Sequence, residues 1–206
     1  MSSGVEEAAA AVEAGGVVVV PTDTVYGLAS APQEQPVRRL YRLKGRTDAQ
    51  PTALIAASLD ALRAHLPELT DRDAAIAAAL LPGPFTLVLA NPAGRLSWLA
   101  GARPDTIGVR IPALDGPGRE LLERVGAIAA TSANLPGGPD PRRLEDVPPE
   151  LRSGAAAILD GGELPGTPST VLDCTGVDPV VLREGAVAAA DALERLHAAL
   201  ADTSRQ

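Results

Sequence analysis

Apolar positions along the chain fall into short β-like runs separated by segments of helical period. Val17 to Val20 is a continuous β-branched run closed by Pro21, the pattern of a strand buried on both faces. Ala53 to Ala57, Phe85 to Ala90, Ala127 to Ala130 and Ala155 to Leu159 read the same way, as do a run from Ser169-Thr170 through Asp173 and short Val180 to Leu182. In Thr106-Ile107-Gly108-Val109-Arg110-Ile111-Pro112 the alternation is strict, so a strand places Thr106, Gly108 and Arg110 on one face.

The intervening segments carry helix signals. Ser3 and Glu6 have capping-box spacing, and an Ala-rich stretch runs to Ala14 before Gly15-Gly16 stops it. Pro36 opens a second helix with Val37, Leu40 and Tyr41 as its apolar stripe, and Gly45 closes it. A third is capped by Ser58, a fourth runs from Thr70 to Leu81 against Pro82-Gly83-Pro84, and Leu193, Leu196 and Leu200 mark a last helix over about 189–200. Strands alternating with helices predict an α/β domain. With no internal repeat and no long linker, residues 1–206 are expected to form one domain.

Composition narrows the function classes. The formal net charge is −8, and one Phe, one Trp and two Tyr leave few platforms for stacking bases, which argues against a broad nucleic-acid surface. The single cysteine, Cys174, provides neither a disulfide framework nor a metal cluster. No leader-like segment opens the chain and no apolar run reaches membrane-spanning length, so a soluble cytoplasmic protein is expected, without membrane association.

Against that acidic background, Arg38 to Arg46 places five cations in nine residues and contains Lys44, the one lysine beside 17 arginines. A compact ammonium retained in an arginine-rich chain points to a phosphate or carboxylate ligand, although helix ends also favour cations. The helix end at Lys44 to Arg46 is expected to be an exposed tip. Hydroxyls and amides recur after buried strands, at Thr22-Asp23-Thr24, Thr131-Ser132-Ala133-Asn134 and Ser169-Thr170, where open α/β sheets commonly bind ligands. The same residues also make ordinary turns and caps. Arg110, beside Gly108 on an alternating strand, suits bidentate capture of a carboxylate or a plain solvated face. His65 and His197 lie on helices with no catalytic motif around them.

Taken in order, Pro21-Thr-Asp-Thr-Val-Tyr-Gly-Leu28, Lys44-Gly-Arg46, Pro82-Gly-Pro-Phe-Thr86, Arg110-Ile-Pro112, Thr131-Ser-Ala-Asn134 and Pro168-Ser-Thr-Val171 resemble the YrdC-like L-threonylcarbamoyladenylate synthases, over about Gly15 to Gly185. The resemblance implies a twisted, mixed parallel and antiparallel open sheet flanked by helices, with a concave basic site. It implies condensation of L-threonine, bicarbonate or CO2, and ATP to threonylcarbamoyl-AMP and pyrophosphate, with Mg2+ accompanying ATP. The product would feed a downstream tRNA threonylcarbamoyl-transferase complex, and weak RNA binding is compatible.

By matched position, Lys44 and Arg46 would be catalytic, neutralising the triphosphate and the leaving pyrophosphate. Thr106, Ser132, Asn134 and Arg183 would contact nucleotide. Arg110 would hold the threonine carboxylate, with Thr22, Ser169 and the backbone at Ala130 around the rest of the amino acid. No metal ligand is assigned to the protein, because a carboxylate at Asp140 would repel phosphates unless it held Mg2+. Thr47-Asp48 after Lys-Gly-Arg, Pro136 and Asp140 after Asn134, and Ile55 depart from the family pattern. A chain ending at Gln206 reads as the single-domain form. Two alternatives share the fold: a non-catalytic RNA- or ribosome-associated module, and a paralogue that adenylates another carbamate.

Overall fold

A computed structural model describes residues 3–203. Its elements are α1 (Ser3–Glu13), β1 (Val17–Pro21), β2 (Tyr26–Ser30), α2 (Glu34–Lys44), β3 (Ala53–Ala56), α3 (Leu59–His65), α4 (Asp71–Leu80), β4 (Phe85–Ala90), β5 (Thr106–Arg110), α5 (Gly116–Val125), β6 (Ala127–Ser132), α6 (Pro149–Gly154), β7 (Ala157–Ile158), β8 (Thr170–Asp173), β9 (Val180–Arg183) and α7 (Ala189–Thr203). The strands form one sheet in the order β7-β1-β2-β6-β3-β5-β4-β8-β9. The pairs β1–β7, β3–β5 and β4–β8 are parallel and the others antiparallel, which is the expected mixed open sheet. No helix among the described residues is long and apolar enough to cross a membrane.

Local signals set most boundaries. Thr70 accepts from the Asp73 backbone and Asp73 reaches back to Thr70, a complete capping box that starts α4, while Ser58 accepts from Ala61 to start α3. Gly45, at φ 68°, closes α2 in the left-handed region, where a glycine carries no Cβ penalty.

Three elements escape the sequence pattern. β2 reads Tyr-Gly-Leu-Ala-Ser and lacks a β-branched residue, yet its place between β1 and β6 buries every position. α5 opens on Gly-Pro-Gly, which reads as loop, but its proline stands in the first turn where no N–H is needed. α6 is a six-residue helix. The run at 155–159 shrinks to the two-residue β7, a parallel edge on β1.

The two faces of the sheet are covered unequally, and that inequality positions the site. On one face α2, α3, α4 and α7 bury Val37, Leu40, Leu62, Ile76, Leu80 and Leu196 against Leu28, Leu54, Leu87, Leu89 and Val109. On the other, α1 and α5 bury Val5, Val12, Leu121 and Leu122 against Val18, Val20 and Ile128. This second cluster contains no residue of β5, β4 or β8. Half of that face is therefore left without a helical cover.

Candidate active site

The uncovered half-face is the floor of a pocket of about 390 Å³. Small and hydroxylated side chains line it because no helix packs there: Ala53 of β3, Gly108 of β5, Thr86 and Val88 of β4, Ala130 of β6 and Val171 of β8. Arg110 enters from β5, in line with Thr106 and Gly108 as the alternation predicts. Its side chain is nine-tenths buried rather than solvated.

One wall is the turn between β1 and β2. Thr22 Oγ1 donates to the Val25 carbonyl at 2.6 Å and accepts the N–H groups of Thr24 and Val25, both at 3.2 Å. That network fixes the turn and presents Asp23 and Thr24 to Arg110. Arg110 Nη2 donates to Asp23 Oδ1 at 2.6 Å and lies 3.4 Å from Thr24 Oγ1. The second carboxylate oxygen of Asp23 accepts the Ala113 N–H at 3.1 Å. Burial works against both charges, raising the Asp23 carboxyl and lowering the Arg110 guanidinium, while their attraction opposes each shift. The pair leaves Arg110 Nε buried and without a partner.

The opposite wall is the start of β8. Ser169 Oγ and Thr86 Oγ1 share a hydrogen bond at 2.8 Å, and Arg183 donates to the Ser169 carbonyl at 2.8 Å. Arg183 stands near enough to add its charge to the forces lowering Arg110. Arg103, also in the lining, is held by Asp173 at 2.6 Å, and Thr106 Oγ1 donates to the Arg103 carbonyl at 2.9 Å.

Lys44 and Arg46 stand behind the third wall, at the end of β6. Lys44 Nζ donates to the Ser132 carbonyl and to Asn134 Oδ1, the latter at 2.9 Å, and Ser132 Oγ donates to the same oxygen at 2.7 Å. Arg46 lies over the Tyr41 ring at 4.6 Å and bonds Thr131, Thr52 and the carbonyls of Gln50 and Pro51. Among the described residues, these hydrogen-bond partners are all neutral. Burial pushes the Lys44 ammonium down to about 8; Arg46 adds to the shift and Asp140 opposes it. Burial lowers Arg46 as well.

The expectation of an exposed tip is therefore corrected: Lys44 is 5% exposed and Arg46 is half-buried. Gly45 turns the chain in a left-handed cap, so the last turn of α2 folds inward against β6 instead of projecting. Thr106, Arg110, Ala130, Ser132, Ser169, Arg183 and Asp140 all line the pocket. Asn134, Lys44 and Arg46 are not in the lining; Asn134 is tied to it by accepting the Ser132 hydroxyl. Thr22 does not face it: its hydroxyl is engaged in its own turn, and the residue borders a separate hollow beside Ala113 to Pro117. The cations do not form a bare basic surface, since Asp23, Asp173 and Asp140 are interleaved with them.

Sequence reasoning missed Asp23 as the partner of Arg110, and also Thr24, Thr52, Thr86 and Arg103. Asp23 and Thr24 were visible as polar residues at a strand end; their pairing with a residue 87 positions away was not.

Fold and pocket together define an α/β protein with a hollow of about 390 Å³, lined by small, hydroxylated and charged side chains, on the half of its sheet that helices leave open. The chain belongs to the Sua5/YciO/YrdC family: residues 10–185 match that family's model, whose description is telomere recombination. It is 38% identical over 182 residues to the threonylcarbamoyl-AMP synthase of Pyrococcus abyssi, covering 86% of this chain and 53% of that protein. A putative threonylcarbamoyl-AMP synthase of Mycobacterium tuberculosis is 36% identical over 188 residues, covering 90% of this chain and 86% of the relative. The crystal structure of P. abyssi Sua5 complexed with L-threonine superimposes with a TM-score of 0.84 at 34% identity, covering 93% of this chain and 56% of that one. This chain thus spans about half the length of the P. abyssi relative.

Proposed function

We propose that this protein is an L-threonylcarbamoyladenylate synthase, converting L-threonine, bicarbonate or CO2, and ATP to threonylcarbamoyl-AMP and pyrophosphate. The observation that carries the reading is Lys44, a buried ammonium hydrogen-bonded to neutral oxygens alone, with Arg46 two residues on, both standing behind the wall of the cleft that Arg110 lines with its unpartnered Nε. A buried cation without a bonded counter-ion is stabilised by an incoming anion.

In this reading the threonine carboxylate takes the free edge of Arg110, and the Ser169–Thr86 hydroxyl pair faces the rest of the amino acid. The amine captures CO2, the new carbamate oxygen attacks the α-phosphorus of ATP, and pyrophosphate leaves. Such a transfer depends on holding two reactants in line and on stabilising charge as it moves to the leaving oxygens. Lys44 and Arg46 supply fixed positive charge for that phosphate tail, while Ser132, Asn134, Thr106 and Arg183 hold the nucleotide. Mg2+ would arrive with ATP and share the phosphate charge. Among the described residues no cluster of three His, Cys, Asp or Glu could hold a metal by itself, and Asp140 is the carboxylate of the lining that could complete such a coordination shell. The product would pass, in the cytoplasm, to a transferase that modifies tRNA.

The test is pyrophosphate release from ATP and bicarbonate with and without threonine, with the adenylate identified by mass. Threonine-dependent release supports the reading. Release driven equally by carbamoyl phosphate, or RNA binding with no turnover of nucleotide, overturns it.

A further inference from the structure

Across the middle of the pocket floor, four neighbouring strands present a row of small side chains. Ala130 of β6 pairs with Ala53 of β3, Gly108 of β5 follows, and Val88 of β4 pairs with Gly108. Gly108 is the low point of that row and has no need of glycine for its backbone, since its φ lies outside the left-handed region. A Cβ built there meets Thr86 Cγ2 at 3.6 Å and the Ala53 Cα at 3.9 Å, both ordinary contacts. The fold would accept an alanine. What a methyl would take away is space inside the pocket.

Two groups border that space at one end. Along the strand, two residues on and on the same face, stands Arg110 with its buried, unpartnered Nε. Opposite Arg110 on β4, and diagonal to Gly108, stands Thr86, whose hydroxyl is paired with Ser169. A carboxylate anchor and a hydroxyl pair side by side at one end of a missing side chain describe a mould for a small hydroxylated amino acid. Lys44 and Arg46 lie beyond Ala130, past Ser132 and Thr131.

We infer that Gly108 sets the amino-acid specificity of the synthase reaction: the volume left by its absent side chain receives the side chain of threonine, and its size decides between threonine and smaller amino acids. This rests on the proposed synthase activity. A single methylene in an apolar pocket discriminates by roughly 10- to 200-fold, so the substitution Gly108→Ala is expected to act on that scale.

The experiment compares wild type, Gly108→Ala and Gly108→Val for pyrophosphate release with threonine and with serine, together with KM for ATP and thermal midpoint. Expected for Gly108→Ala are a midpoint equal to or above wild type, a KM for ATP within about twofold, and a shift of at least about tenfold in the kcat/KM ratio toward serine. Gly108→Val should lose threonine use while still binding ATP. An unchanged serine-to-threonine ratio overturns the inference, and so does a parallel rise in KM for ATP and threonine. If wild type releases no pyrophosphate with threonine, the synthase reading itself fails, which separates the two outcomes.

Discussion

Asp23 holds Arg110 by one edge: Nη2 sits 2.6 Å from Oδ1, while Nε is buried with no partner of its own. The carboxylate comes from the turn after β1 and the guanidinium from β5, and the Ala113 N–H on the other oxygen of Asp23 completes the clamp. A guanidinium fixed in this way presents its remaining donors in one orientation, which is what bidentate recognition of a ligand carboxylate requires.

Removing either partner should therefore be felt by the amino acid before the nucleotide. Arg110→Ala is expected to cost about 1.5–3 kcal/mol of threonine binding, or roughly 10- to 150-fold in KM. Asp23→Ala should raise the same KM by a smaller factor and also lower the thermal midpoint, because it leaves a buried guanidinium unpaired. Steady-state kinetics with threonine and ATP varied separately check this; equal effects on both KM values would place Arg110 elsewhere in the reaction.

Lys44 predicts two pH trends of opposite sign. Its ammonium has a pKa of about 8 in the folded protein against 10.5 for the unperturbed group. Between those values the unfolded chain binds the extra proton, so stability at this position rises as pH increases from about 8 to 10.5. ATP binding uses the protonated form, so affinity should fall over the same window, by up to tenfold per pH unit. Calorimetric titration and denaturant melts across that range read both, and Lys44→Gln should flatten each.

The same substitution separates charge from fold. Gln keeps a donor for the Ser132 carbonyl but carries no positive charge, so pyrophosphate release should drop on the order of 100-fold with the fold intact. Lys44→Ala should in addition destabilise by about 1–3 kcal/mol, because a buried carbonyl loses its donor. Circular dichroism and turnover measured on both variants distinguish the contributions; if Gln retains full activity, the charge is not what the site uses.

Gly118 is a packing constraint rather than a flexible hinge. A Cβ there would meet the Pro21 carbonyl at 2.7 Å, where α5 presses on the end of β1. Although alanine is the better helix former by about 1 kcal/mol, Gly118→Ala is expected to lower the thermal midpoint by several degrees. Since Pro21 leads into the Thr22 to Val25 turn, threonine KM should rise with it. A stabilised variant would contradict the close approach.

A control lies at Thr70. Its capping box on α4 is on the helix-covered side of the sheet, so Thr70→Ala should cost about 1 kcal/mol of stability and leave turnover unchanged.

Much of this protein is written locally. The run Val17 to Val20, the alternation from Thr106 to Arg110, the caps at Ser58 and Thr70 and the stop at Gly45 each depend on residues a few positions apart, and each element formed where its pattern stood. The ordered motifs carried the family for the same reason. What required the tertiary structure is whatever depends on distant neighbours: β2 is a strand because β1 and β6 bury it, Lys44 is interior because the last turn of α2 folds onto β6, and Asp23 matters because β5 brings Arg110 beneath its turn. The pocket itself belongs to that second kind. Period and propensity specify which residues become strand and helix, but which half of a sheet face the helices leave uncovered is decided only when all of them compete to bury the same apolar surface.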